Sequence, residues 1–375
     1  MIALGGLALA IWAGLFATGF WLCRERDDRL VLPEPGQWPD VVAVVPARNE
    51  ADVIARSLGS LVAQDYPGQF RILLVDDNSN DRTGAIARKL GCERVTVLSG
   101  KPLAPGWTGK LWALSQGIAK AGTPHYLWLT DADIEHAPDT SRRLVTIAEG
   151  KQRKLVSFMA ELHCRTWPER ALVPAFVYFF MMLYPFNWVN RRGPCAAAAG
   201  GCVLVEREAL AAAGGIAAIQ GALIDDCALG ALIKKQGPIW LGLTHRSRSI
   251  RPYRSAGEVG AMIARSAYAQ LRYSPLLLAA TVAGLVLMFA VPAWLALFGH
   301  GAARLIAVAA FVLMAAMVQP LLRFYRRSPL WGLVQPLIAA FYTGCVLWSA
   351  WQHWRGRGGM WKGRVQAGTH SVTSP

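Results

Sequence analysis

The sequence predicts an α/β catalytic domain built on a mostly parallel sheet and flanked by an N-terminal membrane anchor and C-terminal transmembrane helices. Three observations carry that prediction. Between Val41 and Pro138, short apolar runs alternate with stretches of helical periodicity. The apolar runs are continuous rather than alternating, as in strands buried on both faces. Four stretches, Met1–Cys23, Ser274–His300, Leu305–Leu322 and Pro329–Trp351, contain no Asp, Glu, Lys or Arg. A helix crosses a bilayer with about 20 such residues.

The elements of the soluble part follow in order. VVAVVP (Val41–Pro46) is the first strand, and Ile54, Leu58, Leu61 and Val62 repeat at helical spacing after it. RILLVDDNSNDRTGAIARKL (Arg71–Leu90) gives a second strand, a polar turn and a second helix. RVTVLSG (Arg94–Gly100) is a third strand, GKLWALSQGIAKA (Gly109–Ala121) a third helix and HYLWLTDAD (His125–Asp133) a fourth strand. This order implies parallel strands with crossover helices, and ligands in such sheets sit at the carboxyl ends of the strands.

Composition supports the membrane reading. The formal net charge is +15, yet 17% of residues are charged and 54% are hydrophobic. A nucleic-acid binder spreads its Lys and Arg more densely; a membrane protein with basic aqueous faces matches this balance. Fifteen Trp residues add to it, because indoles favour the membrane boundary. The seven cysteines include no CxxC pair and read as reduced thiols, and no zinc-ligand spacing is present.

The first run has no basic residue ahead of it and no cleavage site, so it reads as an anchor rather than a signal peptide. Arg24, Arg26 and Arg29 follow it, and Arg323, Arg326 and Arg327 separate the third and fourth runs. These flanks orient a multi-pass plasma-membrane protein with its catalytic domain in the cytoplasm. The basic segment Arg355–Arg364 conflicts with a fourth full span, so the last run, broken by Pro336, is equally compatible with a re-entrant or interfacial segment. A fifth apolar run, Ala171–Asn190, holds Pro174 and Pro185 and is expected to lie on the membrane surface. The expected organisation is therefore an anchor (1–23), a catalytic domain (38–273), a transmembrane region (274–352) and a basic tail (353–375).

The strand ends carry the chemistry. The first ends at Pro46-Ala47-Arg48-Asn49-Glu50, the second at Asp76-Asp77-Asn78-Ser79 and the fourth at Asp131-Ala132-Asp133. With no GxGxxG and no GxxxxGK[ST], a divalent cation is left as the clamp for a nucleotide's diphosphate. Asp131 and Asp133 can direct oxygens toward a shared Mg²⁺ or Mn²⁺, hard ions that take carboxylates and phosphates. Asp76 or Asp77 accepts hydrogen bonds from a base or ribose, or else caps the helix starting near Thr83. A third pair, Asp225-Asp226, opens a helix; one of the two is a candidate general base, the alternative being a simple helix-start charge. The basic stretch Thr244–Arg254 offers Arg246, Arg248, Arg251 and Arg254, either to lipid headgroups or, for one of them, to a diphosphate. His245 is a reserve ligand.

Taken together, PARNE, VDDNSNDRT, Gly109-Lys110, TDADI, Gly200-Gly201 and IDDCALGALI resemble the signature of glycosyltransferase family 2, inverting enzymes with a GT-A fold. The resemblance spans roughly 41–273. It implies that Pro46, Ala47, Glu50 and Asp77 line a nucleoside pocket, that Lys110 approaches a nucleotide-sugar donor (UDP-linked by expectation), that Asp131 and Asp133 hold sugar and metal, and that Asp226 is the base. Processive members carry Q-x-x-R-W, where this chain has Ala269-Gln270-Leu271-Arg272-Tyr273. The departure implies transfer of a single sugar rather than polymer synthesis. The membrane runs and the tail motif GMWKGR resemble a subgroup associated with hopanoid biosynthesis, with carotenoid-type glycosyltransferases nearby, and so imply a membrane lipid acceptor.

Overall fold

A computed structural model describes residues 1–90, 92–357, 360–361 and 364–365. The chain divides into two compact units. One comprises Glu25–His163, Trp188–Arg251 and the described residues from Met360; the other comprises Met1–Arg24, Cys164–Asn187 and Pro252–Gly359.

The first unit is built on an eight-stranded sheet: β1 (Val41–Ala47), β2 (Phe70–Asp76), β3 (Val95–Ser99), β4 (Tyr126–Thr130), β5 (Ile134–His136), β6 (Leu155–Glu161), β7 (Cys202–Glu206) and β8 (Ile239–Ser249). Their spatial order is β3-β2-β1-β4-β7-β6-β8-β5. The four strands read from sequence are present, and β3, β2, β1 and β4 run parallel. Every residue of β1 and β4 is buried, which is why both read as unbroken apolar runs. On one face Val41, Ala43, Val45, Ile72, Leu74 and Trp128 pack with Leu58, Leu61, Leu144 and Phe158. On the other, the helix Gly109–Lys120 lies close to β1. A Cβ at Gly117 would stand 2.4 Å from Val44, so only glycine permits that approach.

The sheet is mostly parallel: six of its eight strands run one way, and only β7 and β5 oppose them. β7 runs antiparallel to both β4 and β6, and β5 antiparallel to β8. A strand's direction is set by where the preceding connection delivers it, and β7 follows the long excursion 162–201. Its own residues, CVLVE, hold no trace of that direction.

The second unit is helical. Leu172, Ala175, Val259, Ile263, Ile338, Tyr342 and Cys345 form one apolar cluster, and the Tyr342 hydroxyl donates to Leu172 O at 2.8 Å. Two helical stretches, Pro275–Phe298 and Gly301–Phe324, are long and apolar enough to cross a membrane, each with a mean hydropathy of 2.4. The other two runs expected as spans are helical but do not meet that test. Ile2–Thr18 is about 25 Å long, and it stops where Gly19 takes a left-handed φ of 69°. In the last run Pro336 does not break the helix: it sits in the first turn of Gln335–Trp354, where its missing N–H costs nothing.

The fifth apolar run forms the helix Trp167–Leu183, opened by a capping box between Thr166 and Glu169. This helix groups with the helical unit, not with the sheet. All seven cysteines are thiols. Of the tail motif at Gly359–Arg364, half the residues lie outside the described ones; two short strands there, Met360–Trp361 and Arg364–Val365, pair antiparallel.

Candidate active site

Parallel pairing aligns the carboxyl ends of β1, β2 and β4 on one edge, with Ala47 opposite Asp76 and Val44 opposite Leu129. The loops after β1 and β2 are stitched together there. Asn49 N–H donates to Ser79 Oγ (3.0 Å), Asn80 N–H to Asn49 Oδ1 (2.8 Å), and Glu50 N–H to Thr83 Oγ1 (2.7 Å). Asn49 and Asn78 hold left-handed φ values of 52° and 51°, a conformation asparagine tolerates better than most residues.

Past β4, the chain brings Lys110 between two carboxylates. Its Nζ lies 2.8 Å from Asp131 Oδ1 and 3.0 Å from Asp225 Oδ2. Asp226 sits beside them, its Oδ2 accepting from Gly200 N–H at 3.1 Å and its Oδ1 from Cys227 N–H at 2.7 Å. These side chains line one cavity with Pro46, Thr130 and Gly200, walled by apolar residues including Leu114, Ile216 and Leu229. The loop that supplies Gly200 is fixed by a close approach: a Cβ on Gly230, in the helix Asp225–Lys234, would lie 2.6 Å from the Ala197 carbonyl carbon. Gly230 thus holds the Asp226 helix against the segment that donates to Asp226.

Charge sets the site's character. Burial opposes the ammonium of Lys110, but Asp131 and Asp225 more than reverse that and hold it charged. Burial raises the Asp131 carboxyl against the pull of Lys110, and Asp133 adds to the rise. Burial, then the neighbouring Asp225, pushes Asp226 up to about 6, with Lys110 opposing. A carboxyl at such a value is ionised at neutral pH yet basic enough to take a proton.

A buried histidine stands behind β4. Thr130 Oγ1 donates to Gly201 O at 2.8 Å and also lies 2.8 Å from His136 Nε2. The threonine's one proton is spent on Gly201, so His136 Nε2 carries the hydrogen and Nδ1 accepts from Ser247 Oγ at 2.9 Å. Burial pushes His136 down to about 3, which keeps it neutral. This relay ties the strand end carrying Asp131 to the Gly200-Gly201 loop and to β8. Sequence reasoning missed it, since a lone His and a lone Thr carry no spacing signal.

Of the residues expected at the site, Pro46, Lys110, Asp131, Asp225 and Asp226 share this cavity. Asp133 and Glu50 lie outside its lining and meet through Arg251: Nε is 2.9 Å from Asp133 Oδ2, and Nη2 bonds Glu50 Oε2. Ala47 is the last residue of β1 and Asp77 the first after β2, and Asp77 N–H donates to Ala47 O at 2.8 Å. Asp77 is fully buried. Asp76 Oδ1 accepts from Ser79 N–H at 3.2 Å. In the first turn of the helix Thr83–Lys89, Thr83 N–H donates to Asp81 Oδ1 at 2.9 Å. His245 pairs with Glu161 at 2.7 Å, away from the cavity lining. Among the four arginines, Arg246 serves Asp27 and Asp139 while Arg248 faces Glu161, so Arg251 is the one beside the strand-end acids.

This arrangement defines a class: an α/β domain whose carboxyl-edge loops deliver carboxylates and a lysine to one cavity. Residues 42–214 match the family model described as glycosyl transferase family 2. Over 144 residues the chain is 32% identical to a beta-monoglucosyldiacylglycerol synthase from Trichormus variabilis, covering 38% of this chain and 30% of that protein. Over 92 residues it is 35% identical to a 4,4'-diaponeurosporenoate glycosyltransferase from Staphylococcus aureus, covering 24% of this chain and 23% of that one. The chain thus aligns with less than a third of either relative's length. Among solved structures, a mannosyltransferase from Pyrobaculum calidifontis in complex with GDP-Man and Mn²⁺ superposes with a TM-score of 0.55 at 21% identity, over 93% of this chain and 99% of that one. That likeness shows a shared fold.

Proposed function

We propose that this protein is a membrane-bound inverting glycosyltransferase that moves one sugar from a nucleotide-sugar donor to a hydroxyl of a membrane lipid, of hopanoid or related isoprenoid type. The observation that carries the reading is the convergence of Asp131, Asp225 and Asp226 around Lys110 in one cavity, from segments more than ninety residues apart. The likeness to a beta-monoglucosyldiacylglycerol synthase and a 4,4'-diaponeurosporenoate glycosyltransferase supports a lipid acceptor. Apolar side chains left exposed on the helical unit support a bilayer setting, among them Leu276, Leu297, Leu305 and Leu337, each at least 70% exposed.

In this mechanism Asp226 takes the proton from the acceptor hydroxyl as its oxygen attacks the anomeric carbon, and the nucleoside diphosphate leaves from the opposite face. Lys110 neutralises the carboxylates flanking that path and keeps Asp226 ionised. Pro46, Ala47, Glu50, Asp76 and Asp77 border the nucleoside. Asp131 and Asp133, two hard oxygen donors one residue apart at a strand end, fit a divalent cation. Among the described residues no third His, Cys, Asp or Glu completes a cluster with them, so donor phosphates and water would fill the shell. Bound there, Mg²⁺ or Mn²⁺ supplies charge neutralisation for the leaving diphosphate.

Two measurements test this. Membranes containing the protein, given radiolabelled nucleotide sugars, should place label in a lipid extract as a single-sugar product. Label in polymer, or none in lipid with any donor, would refute the reading. The rate should also follow the ionisation of Asp226. It is active above its pKa and protonated below, so kcat/KM should fall about tenfold per pH unit below about pH 6. A profile flat through that range would remove Asp226 as the base.

A further inference from the structure

We propose that Arg251 is a displaceable counter-ion that makes divalent-cation binding depend on the donor. The inference rests on the reading of Asp133 as a cation ligand. Arg251 follows β8, and its neighbour Ile250 donates its N–H to Asp133 O at 2.9 Å, so backbone pairing fixes where the side chain starts. Its guanidinium then forks, Nε to Asp133 and Nη2 to Glu50, joining the loop after β4 to the loop after β1. Glu50 is nearly buried, whereas the Arg251 side chain is 35% exposed, so the arginine is the partner with room to move.

A guanidinium and a divalent cation on the same carboxylate repel each other, because two positive charges a few ångströms apart are poorly screened in a partly buried site. Before the donor arrives Arg251 therefore opposes the cation at Asp133. A nucleoside diphosphate changes the balance. It brings negative charge that attracts the guanidinium, whose planar fork suits phosphate oxygens. Arg251 thus turns from competitor to donor ligand, and cation and nucleotide bind with positive coupling. Two other arginines of this stretch are already engaged: Arg246 with Asp27 and Asp139, and Arg248 with Glu161.

The test is a Mn²⁺ titration of the full-length protein in detergent, followed by the electron paramagnetic resonance of free Mn²⁺, with and without UDP and, separately, GDP. Wild type should bind Mn²⁺ weakly alone and about tenfold more tightly with one of the nucleotides. Arg251→Met should bind Mn²⁺ alone about tenfold more tightly than wild type and gain clearly less than wild type from nucleotide, the coupling through the phosphate ligands alone remaining. Equal or weaker Mn²⁺ binding by Arg251→Met, at unchanged coupling, would overturn the proposal. Asp133→Asn separates the two levels. If it abolishes Mn²⁺ binding while Arg251→Met changes nothing, the cation site stands and the counter-ion role fails; if it leaves Mn²⁺ binding intact, both fail. Should Arg251→Met not fold, Arg251→Lys keeps the charge but cannot fork between two carboxylates. It should raise affinity for Mn²⁺ alone about threefold, and an unchanged value would overturn the proposal.

Discussion

Asp226→Asn should abolish sugar transfer, lowering kcat about 10³-fold, while nucleotide-sugar affinity should stay within about twofold of wild type. The asymmetry follows from geometry. Asp226 accepts from two backbone N–H groups, of Gly200 and Cys227, and the side-chain oxygen of Asn can accept one of them. The substitution is nearly isosteric, so the helix start and the Gly200 loop keep their places. What disappears is the capacity to take a proton. Single-turnover transfer measured beside equilibrium donor binding checks this; a variant that retains a tenth or more of wild-type turnover would remove Asp226 from the role. Asp225→Asn provides the contrast. Asp225 is paired with Lys110, so its loss should perturb the lysine and leave proton abstraction in place.

Lys110→Met should lower kcat/KM about 10²-fold and move the acid limb upward by about one pH unit. Lys110 is the cation among Asp131, Asp225 and Asp226, and it opposes the burial that lifts Asp226 to about 6. Without it the carboxylates face one another uncompensated, and each holds its proton to a higher pH. The sign is fixed: the base must be deprotonated, so a raised pKa shifts the loss of activity toward neutral pH. Lys110→Arg keeps the charge and should keep the limb. It should still lose rate, because a Cβ at Gly200 would stand only 3.0 Å from Lys110 Nζ, so that side has little room for a larger head group. A Lys110→Met enzyme with an unmoved limb would show that the lysine does not govern the base.

Both predictions depend on how the chain reads at different scales. Continuous apolar runs made β1, β2 and β4 legible, since a strand buried on both faces leaves no polar alternation to confuse it. Acidic residues at the ends of such strands then stood out as costly unless used. The spacing in IDDCALGALI likewise marked a helix opening on two carboxylates, and the helix begins at Asp225. Other features left no such trace. The antiparallel insertion of β7 depends on the path of a long connection. The choice of Arg251 among four closely spaced arginines depends on a strand register that pairs Ile134 with Ser249. The neutral state of His136 depends on Thr130 and Ser247 reaching it from two other segments.

By itself the sequence determined the chemical inventory: strands that end on carboxylates, a helix opening on Asp225 and Asp226, a lysine after Gly109, and apolar helices around them. These are local properties, written in the periodicity and identity of neighbouring residues. Only the tertiary structure decided which acids share a cavity and which cation each one meets, placing Asp131 and Asp225 on Lys110 but Asp133 and Glu50 on Arg251. Ion pairing depends on separations of a few ångströms between residues tens to hundreds of positions apart, and those separations are set by sheet order and by backbone contacts such as Gly230 against Ala197.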